Sequence, residues 1–215
     1  MDSKFLRLIF PPKCTLCRKL LAKEETDLCH HCRTEGPEFI KSKRSIPFIA
    51  HWTGIWYYKD DVRLSVHRFK FGNARRYAAV YGQLLAVKLM NGALGEFDII
   101  SWVPIAWQRN FSRGYDQSQL LAEAVGKELG IKPVQTLRKI RSTPPQSGIP
   151  NAAGRRANVL GAYKVLHPDQ IRGKRILLLD DVVTTGATAS ECAKTLTIAG
   201  ATEVNLATVG VAVHD

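Results

Sequence analysis

The chain has 215 residues, an apolar fraction of 45% and a formal net charge of +12. That length accommodates one full α/β domain plus a small appendage, and no apolar run approaches membrane-spanning length. The positive excess favours anionic partners, and the absence of a secretory or transit pattern argues for the cytoplasm.

The elements follow in chain order. Phe5 to Phe10 is a short amphipathic lead-in, broken by Arg7. Cys14-x-x-Cys17 and Cys29-x-x-Cys32 then form two knuckles across a short spacer. Four thiolates at that spacing suit one tetrahedral zinc ion with no open position, a structural site rather than a catalytic one. The rival is two disulfides, which a reducing cytosol disfavours. His30 and His31 lie inside the second knuckle, but the full cysteine set leaves them as exposed polar residues. This finger occupies residues 1 to about 45 and ends in the basic run around Lys41, Lys43 and Arg44; the main domain follows over 46–215.

A strand is expected over His51–Tyr58, and helical periodicity over Val62–Phe69 and Tyr77–Met90. Between and within these helices Arg63, Arg68, Lys70, Arg75 and Arg76 interleave with Phe69, Phe71 and Tyr77. Such a stretch can track a single nucleic-acid strand by phosphate contact and base stacking, present a solvated basic face, or bind a small phosphorylated substrate. Phe97–Val103 reads as a strand, and Gln117–Leu129 as a helix stopped by Gly130. Residues 138–156, rich in Arg, Pro, Ser and Gly, read as a long loop, and Val159–Val165 as a strand. The alternation implies an α/β fold, a mostly parallel twisted sheet flanked by helices.

The run Arg175–Thr188 carries the most chemistry. Ile176–Leu179 reads as a buried parallel strand, with Asp180 and Asp181 at its carboxyl end, where open α/β sheets place ligands. Thr184, Thr185, Gly186 and Thr188 then offer hydroxyls and backbone N–H groups at the start of a helix over Thr188–Ala199, a phosphate cradle. Carboxylates repel phosphate, so their partners are sugar hydroxyls or a bridging divalent cation. A sugar phosphate with vicinal hydroxyls satisfies both halves. An ordinary capped helix is the plain alternative. A Walker-type ATPase is not, because no G-x-x-x-x-G-K-[ST] occurs. Cys192, in the following helix, reads as a small buried residue, and Glu203–Val213 as the last strand.

Four apolar residues, two acids, two variable residues and Thr-Thr-Gly-x-Thr resemble the phosphoribosyl pyrophosphate (PRPP) motif of type I phosphoribosyltransferases. By that resemblance Asp180 and Asp181 bind the ribose 2′ and 3′ hydroxyls, and Val182, Val183, Thr184, Thr185, Gly186, Ala187 and Thr188 complete the loop around the 5′-phosphate. Val103-Pro104, Arg109 and Arg113-Gly114-Tyr115-Asp116-Gln117 resemble the ComF branch, with Asp116 where Asn is usual. Phe69-Lys70-Phe71, Gln146, Arg155, Asn158 and the four-cysteine element extend the likeness over nearly the whole chain.

The resemblance implies Arg109, Arg113 and Gly114 at the pyrophosphate, Mg²⁺ accompanying PRPP, and a hood over residues 138–158 bearing Arg141, Gln146 and Arg155. It also implies a link to DNA uptake in natural competence, beside a helicase-like or DNA-processing partner acting on single-stranded DNA. Two functions follow as expectations: a phosphoribosyltransferase with an unidentified acceptor and general base, or a single-stranded-DNA adaptor whose PRPP site is a sensor or scaffold. A finger that binds DNA by itself, with the larger domain incidental, is a weaker third.

Overall fold

A computed structural model describes residues 11–37, 40, 44–106, 114–144, 148, 149 and 151–212. The two knuckles are followed by a short helix α1, His30–Thr34, and strand β1, Trp52–Tyr57. Helices α2, Asp60–Phe71, and α3, Tyr77–Met90, lead to β2, Ile99–Trp102, and α4, Gln117–Leu129. A two-stranded antiparallel hairpin, β3 (Leu137–Lys139) with β4 (Tyr163–Val165), encloses α5, Ala152–Val159. The one-turn helix α6, Pro168–Ile171, precedes β5, Arg175–Val183, then α7, Ala187–Ile198, and β6, Glu203–Val211.

The main sheet is parallel throughout, in the order β1-β6-β5-β2. Its side chains alternate between two cores, as period-2 geometry requires. Leu177 and Leu179 of β5 join Phe69, Tyr81, Leu85 and Leu121 from α2, α3 and α4. Ile176 and Leu178 face the other way, against Cys192, Ala193 and Leu196 of α7 and Val159 of α5. The all-apolar reading of β5 therefore reflects burial on both faces.

Three expectations are corrected. Strand β5 does not stop at Leu179 but runs on through Asp180 and Asp181 to Val183, because Thr208, Gly210 and Val211 of β6 continue the pairing. The stretch 138–156 is not one loop: it contributes β3 and most of α5, whose first turn is capped by the Asn151 side chain accepting from the Gly154 N–H at 2.6 Å. The strand expected over Val159–Val165 shrinks to Tyr163–Val165, since Val159 closes α5. Helices α3 and α4 match their expected bounds, and Gly130 ends α4 at φ +70°.

Candidate sugar phosphate site and zinc ribbon

The connections out of β2 and β5 leave on opposite faces of the sheet. Helix α4, which follows β2, packs in one core, and α7, which follows β5, packs in the other. Adjacent parallel strands whose chains depart in opposite directions open a crevice at their carboxyl ends, the standard ligand position of such sheets. The start of α4 and the turn after β5 border that crevice.

Asp116 builds one wall. Its carboxylate accepts from the Ser118 and Gln119 N–H groups at 3.0 and 3.2 Å, capping α4, and from the Ile105 N–H at 3.0 Å, tying the cap to the end of β2. Burial holds its pKa above the ordinary value, against those three donors. The carboxylate standing where an amide is usual thus acts as an N-cap, for which Asp and Asn serve equally. Gly114, at φ +73°, has its carbonyl bonded by the Arg75 guanidinium at 3.1 Å. Arg75 also lies over the Tyr115 ring, 4.8 Å from its centroid. Arg109 and Arg113 lie outside the described residues, as does Gln146.

Capping places Ser118 where its hydroxyl donates to Asp180 Oδ1 at 3.2 Å. The same oxygen accepts from the Asp181 N–H at 2.8 Å. Lys70, on α2, pairs with Asp181 Oδ1 at 2.8 Å, with side-chain exposures of 22% and 11%. The adjacent acids are therefore not equivalent. Burial first, and then repulsion from Asp181, push Asp180 up to about 7 despite Lys70. Burial pulls Lys70 down, but the attraction and hydrogen bond of Asp181 outweigh it and leave its pKa raised.

The following turn keeps Thr184, Thr185 and Thr188 half-buried. Gly186 N-caps α7 at φ +80°, and a Cβ there would sit 3.0 Å from Ile46. Both constraints demand glycine. The Arg44 guanidinium donates to the Thr184 carbonyl at 2.7 Å, so a cation from just after the ribbon braces the turn. Arg44 and Ser118 were not legible as site residues. In the stretch expected as a hood, Arg141 donates to the carbonyls of Asn158 and Leu160 at 3.1 and 2.8 Å, and Arg155 to that of Ile149 at 2.7 Å. These contacts brace the segment itself.

At the other end, the sulfurs of Cys14, Cys17, Cys29 and Cys32 lie within 4.8 Å of one another. Cys17 and Cys29 approach to 3.6 Å. A zinc–sulfur bond of about 2.3 Å gives a tetrahedral sulfur–sulfur edge of about 3.8 Å, so the residues fit the ion. Burial raises the Cys17 and Cys32 thiols, while backbone N–H groups outweigh burial at Cys14 and lower it. His31 faces outward to Glu35 at 3.5 Å and is not part of the cluster. Cys192 is fully buried, as expected.

The ribbon is docked rather than tethered. Cys14, Leu16, Leu28, Cys29 and Cys32 share a core with Phe69, Tyr77 and Tyr81. The Ser65 hydroxyl donates to the Thr15 carbonyl at 2.6 Å, which leaves its oxygen to accept from Tyr81 at 2.6 Å. Arg68 donates to the carbonyls of Thr15 and Leu16. The basic, aromatic stretch is therefore divided: Phe69 and Tyr77 are buried, Arg68 holds the ribbon and Lys70 the acid pair, while Arg63, Arg75 and Arg76 are exposed. Phe71 alone of its three aromatic residues is well exposed, at 59%. Arg68→Ala should cost about 2 kcal/mol in urea unfolding, through loss of charged hydrogen bonds to buried carbonyls.

Ribbon, parallel sheet, acidic strand end and hydroxyl turn define an α/β protein with an N-terminal zinc ribbon and a candidate sugar phosphate site. The double zinc ribbon domain family matches residues 5–44, although the cysteines there supply ligands for a single ion. The chain is 28% identical to the DNA utilization protein YhgH of Salmonella typhi over 202 residues, covering 90% of this chain and 87% of that protein. It is 26% identical to competence protein F of Haemophilus influenzae over 203 residues, with the same coverages. The chain is similar to these proteins along most of its length. Among solved structures, glutamine PRPP amidotransferase from B. subtilis aligns with a TM-score of 0.44 and 23% identity, over 66% of this chain and 30% of that one. Among the described residues no helix is long and apolar enough to cross a membrane.

Proposed function

We propose that this protein binds PRPP at the crevice between β2 and β5 and serves DNA utilization in the cytoplasm. The observation that carries the reading is the unequal acid pair at the end of a central parallel strand, followed directly by a hydroxyl turn at a helix N-terminus. Asp180 and Asp181 accept the ribose hydroxyls. Lys70 engages one oxygen of Asp181 and orients the carboxylate, leaving the second for the ligand. Residues Thr184 to Thr188 hold the 5′-phosphate, where N–H groups and the helix dipole favour an anion.

Magnesium bound with PRPP would shield its pyrophosphate. Carboxylates suit that ion. Among the described residues only the cysteines group three or more metal-ligating side chains, so ligand oxygens would complete its shell. Arg109, Arg113 and Gly114 face the pyrophosphate in this reading, and Arg141, Gln146 and Arg155 belong to the hood above it. If phosphoribosyl is transferred, the acid pair favours the cationic sugar that forms as the C1 bond breaks, and the arginines favour the departing pyrophosphate.

The test is thermal stabilisation by PRPP with Mg²⁺. At a hundredfold excess over Kd, the wild type should gain about 2.7 kcal/mol, and Asp180→Asn should gain nothing. An unchanged wild-type melting curve would refute the reading. The second reading, a single-stranded-DNA adaptor working with a competence helicase, draws on the names of the relatives and on exposed Arg63, Phe71, Arg75 and Arg76. Salt-dependent oligonucleotide binding without PRPP stabilisation would favour it.

A further inference from the structure

Away from the crevice, the ribbon and the α2–α3 turn enclose a second cavity of about 420 Å³. Arg18, Arg68, Arg75 and Arg76 line it with Asn73 and Tyr77, and no acidic residue does. Three of these guanidiniums gather on one ring: Arg18 donates to the Tyr77 hydroxyl at 3.4 Å, and Arg68 and Arg76 lie 6.0 and 5.9 Å from its centroid. The buried Nε of Arg68 has no hydrogen-bond partner among the described residues. Arg18 and Asn73 hold left-handed backbone, at φ 67° and 50°, and for a residue such as Arg18 that conformation is a strain that surrounding structure must maintain.

Four like charges at one cavity fit a ligand bearing several negative charges close together. We propose that this cavity is a binding site for a small phosphoanhydride, such as the polyphosphate chain of a free nucleotide. The shape favours a compact anion over a strand. Arg18 reaches the hollow from the ribbon and the other three arginines from α2 and the α2–α3 turn, and Phe69 and Tyr77 are too buried to stack on bases. None of its lining residues is one of the crevice acids or turn hydroxyls. Arg75 connects the two, because the guanidinium that would meet the anion also holds the Gly114 carbonyl.

Titration calorimetry of the full, zinc-loaded protein with inorganic tripolyphosphate tests the assignment. Wild type and Asp180→Asn should bind with the same affinity and a single site. Arg18→Glu with Arg76→Glu should bind at least tenfold more weakly, with melting temperature and zinc content matching wild type. Should that double variant misfold, Arg18→Gln and Arg76→Gln should each weaken binding by threefold or more. Equal binding by the arginine variants, or loss of binding in Asp180→Asn, would overturn the proposal. So would a thymidine oligonucleotide that binds through these arginines and is not displaced by tripolyphosphate, which would make the hollow part of a strand-binding surface.

Discussion

Asp181→Asn should destabilise the protein by about 3 kcal/mol, lowering its melting temperature by about 8 °C, whereas Asp180→Asn should not destabilise it. The side chains are neighbours of identical chemistry, and the difference is in their partners. Asp181 neutralises Lys70 at 2.8 Å with both groups mostly covered. Removing the acid leaves an ammonium with little water and no counter-charge. Asp180 has no cation of its own, and burial and repulsion from Asp181 raise it to about 7.

The pH dependence has a definite sign. An ordinary aspartate titrates near 4, so between about pH 4 and 7 the folded protein retains a proton that the unfolded chain has released. The unfolded state then binds fewer protons, and stability falls as pH rises through that window. Asp180→Asn should remove this slope and gain on the order of 1 kcal/mol above neutral pH. Melting curves from pH 4 to 8 check both variants. Equal losses in the two would show that Lys70 does not distinguish them.

Stripping zinc, or replacing Cys14 and Cys32 by serine, should cost at least about 5 kcal/mol, given the binding energies of structural zinc. The loss should not be confined to the first forty residues. Leu16 and the cysteines share their core with Phe69, Tyr77 and Tyr81, and Arg68 needs the Thr15 and Leu16 carbonyls. Hydrogen exchange should therefore show opening of α2 and α3 along with the ribbon, while β5 and α7 keep more protection. Cys192→Ala, outside the cluster, should cost about 1 kcal/mol and leave zinc content unchanged. A chelated protein with an intact α2–α3 unit would contradict the docking geometry.

What the sequence reveals is what is local. The knuckle spacing, the strand of β5, the acid pair and the Thr-Thr-Gly turn lie within short stretches whose chemistry is self-evident. The bounds of α3 and α4 follow from periodicity and from the stop at Gly130. The long-range partners do not show. Arg44 reaches Thr184 across 140 positions, and Ser118 reaches Asp180 across 62. Nothing in either segment names the other.

The stretch from Arg63 to Tyr77 was only half legible, for a related reason. Basic and aromatic residues in alternation look like a nucleic-acid surface, but the helical period turns Val62, Val66 and Phe69 inward. Two of its cations, Arg68 and Lys70, then have internal duties, at the ribbon and at Asp181, while Arg63, Arg75 and Arg76 stay exposed. In α5, a glycine and two arginines disguised a short capped helix as loop.

Because the cysteine cluster and the acid pair both lean on α2, through Arg68 and Lys70 two positions apart, the protein has no spare half. A cell starved of zinc is expected to forfeit the entire polypeptide to degradation, so trace-metal supply would govern its abundance, and an excised ribbon would make a poor stand-alone reagent.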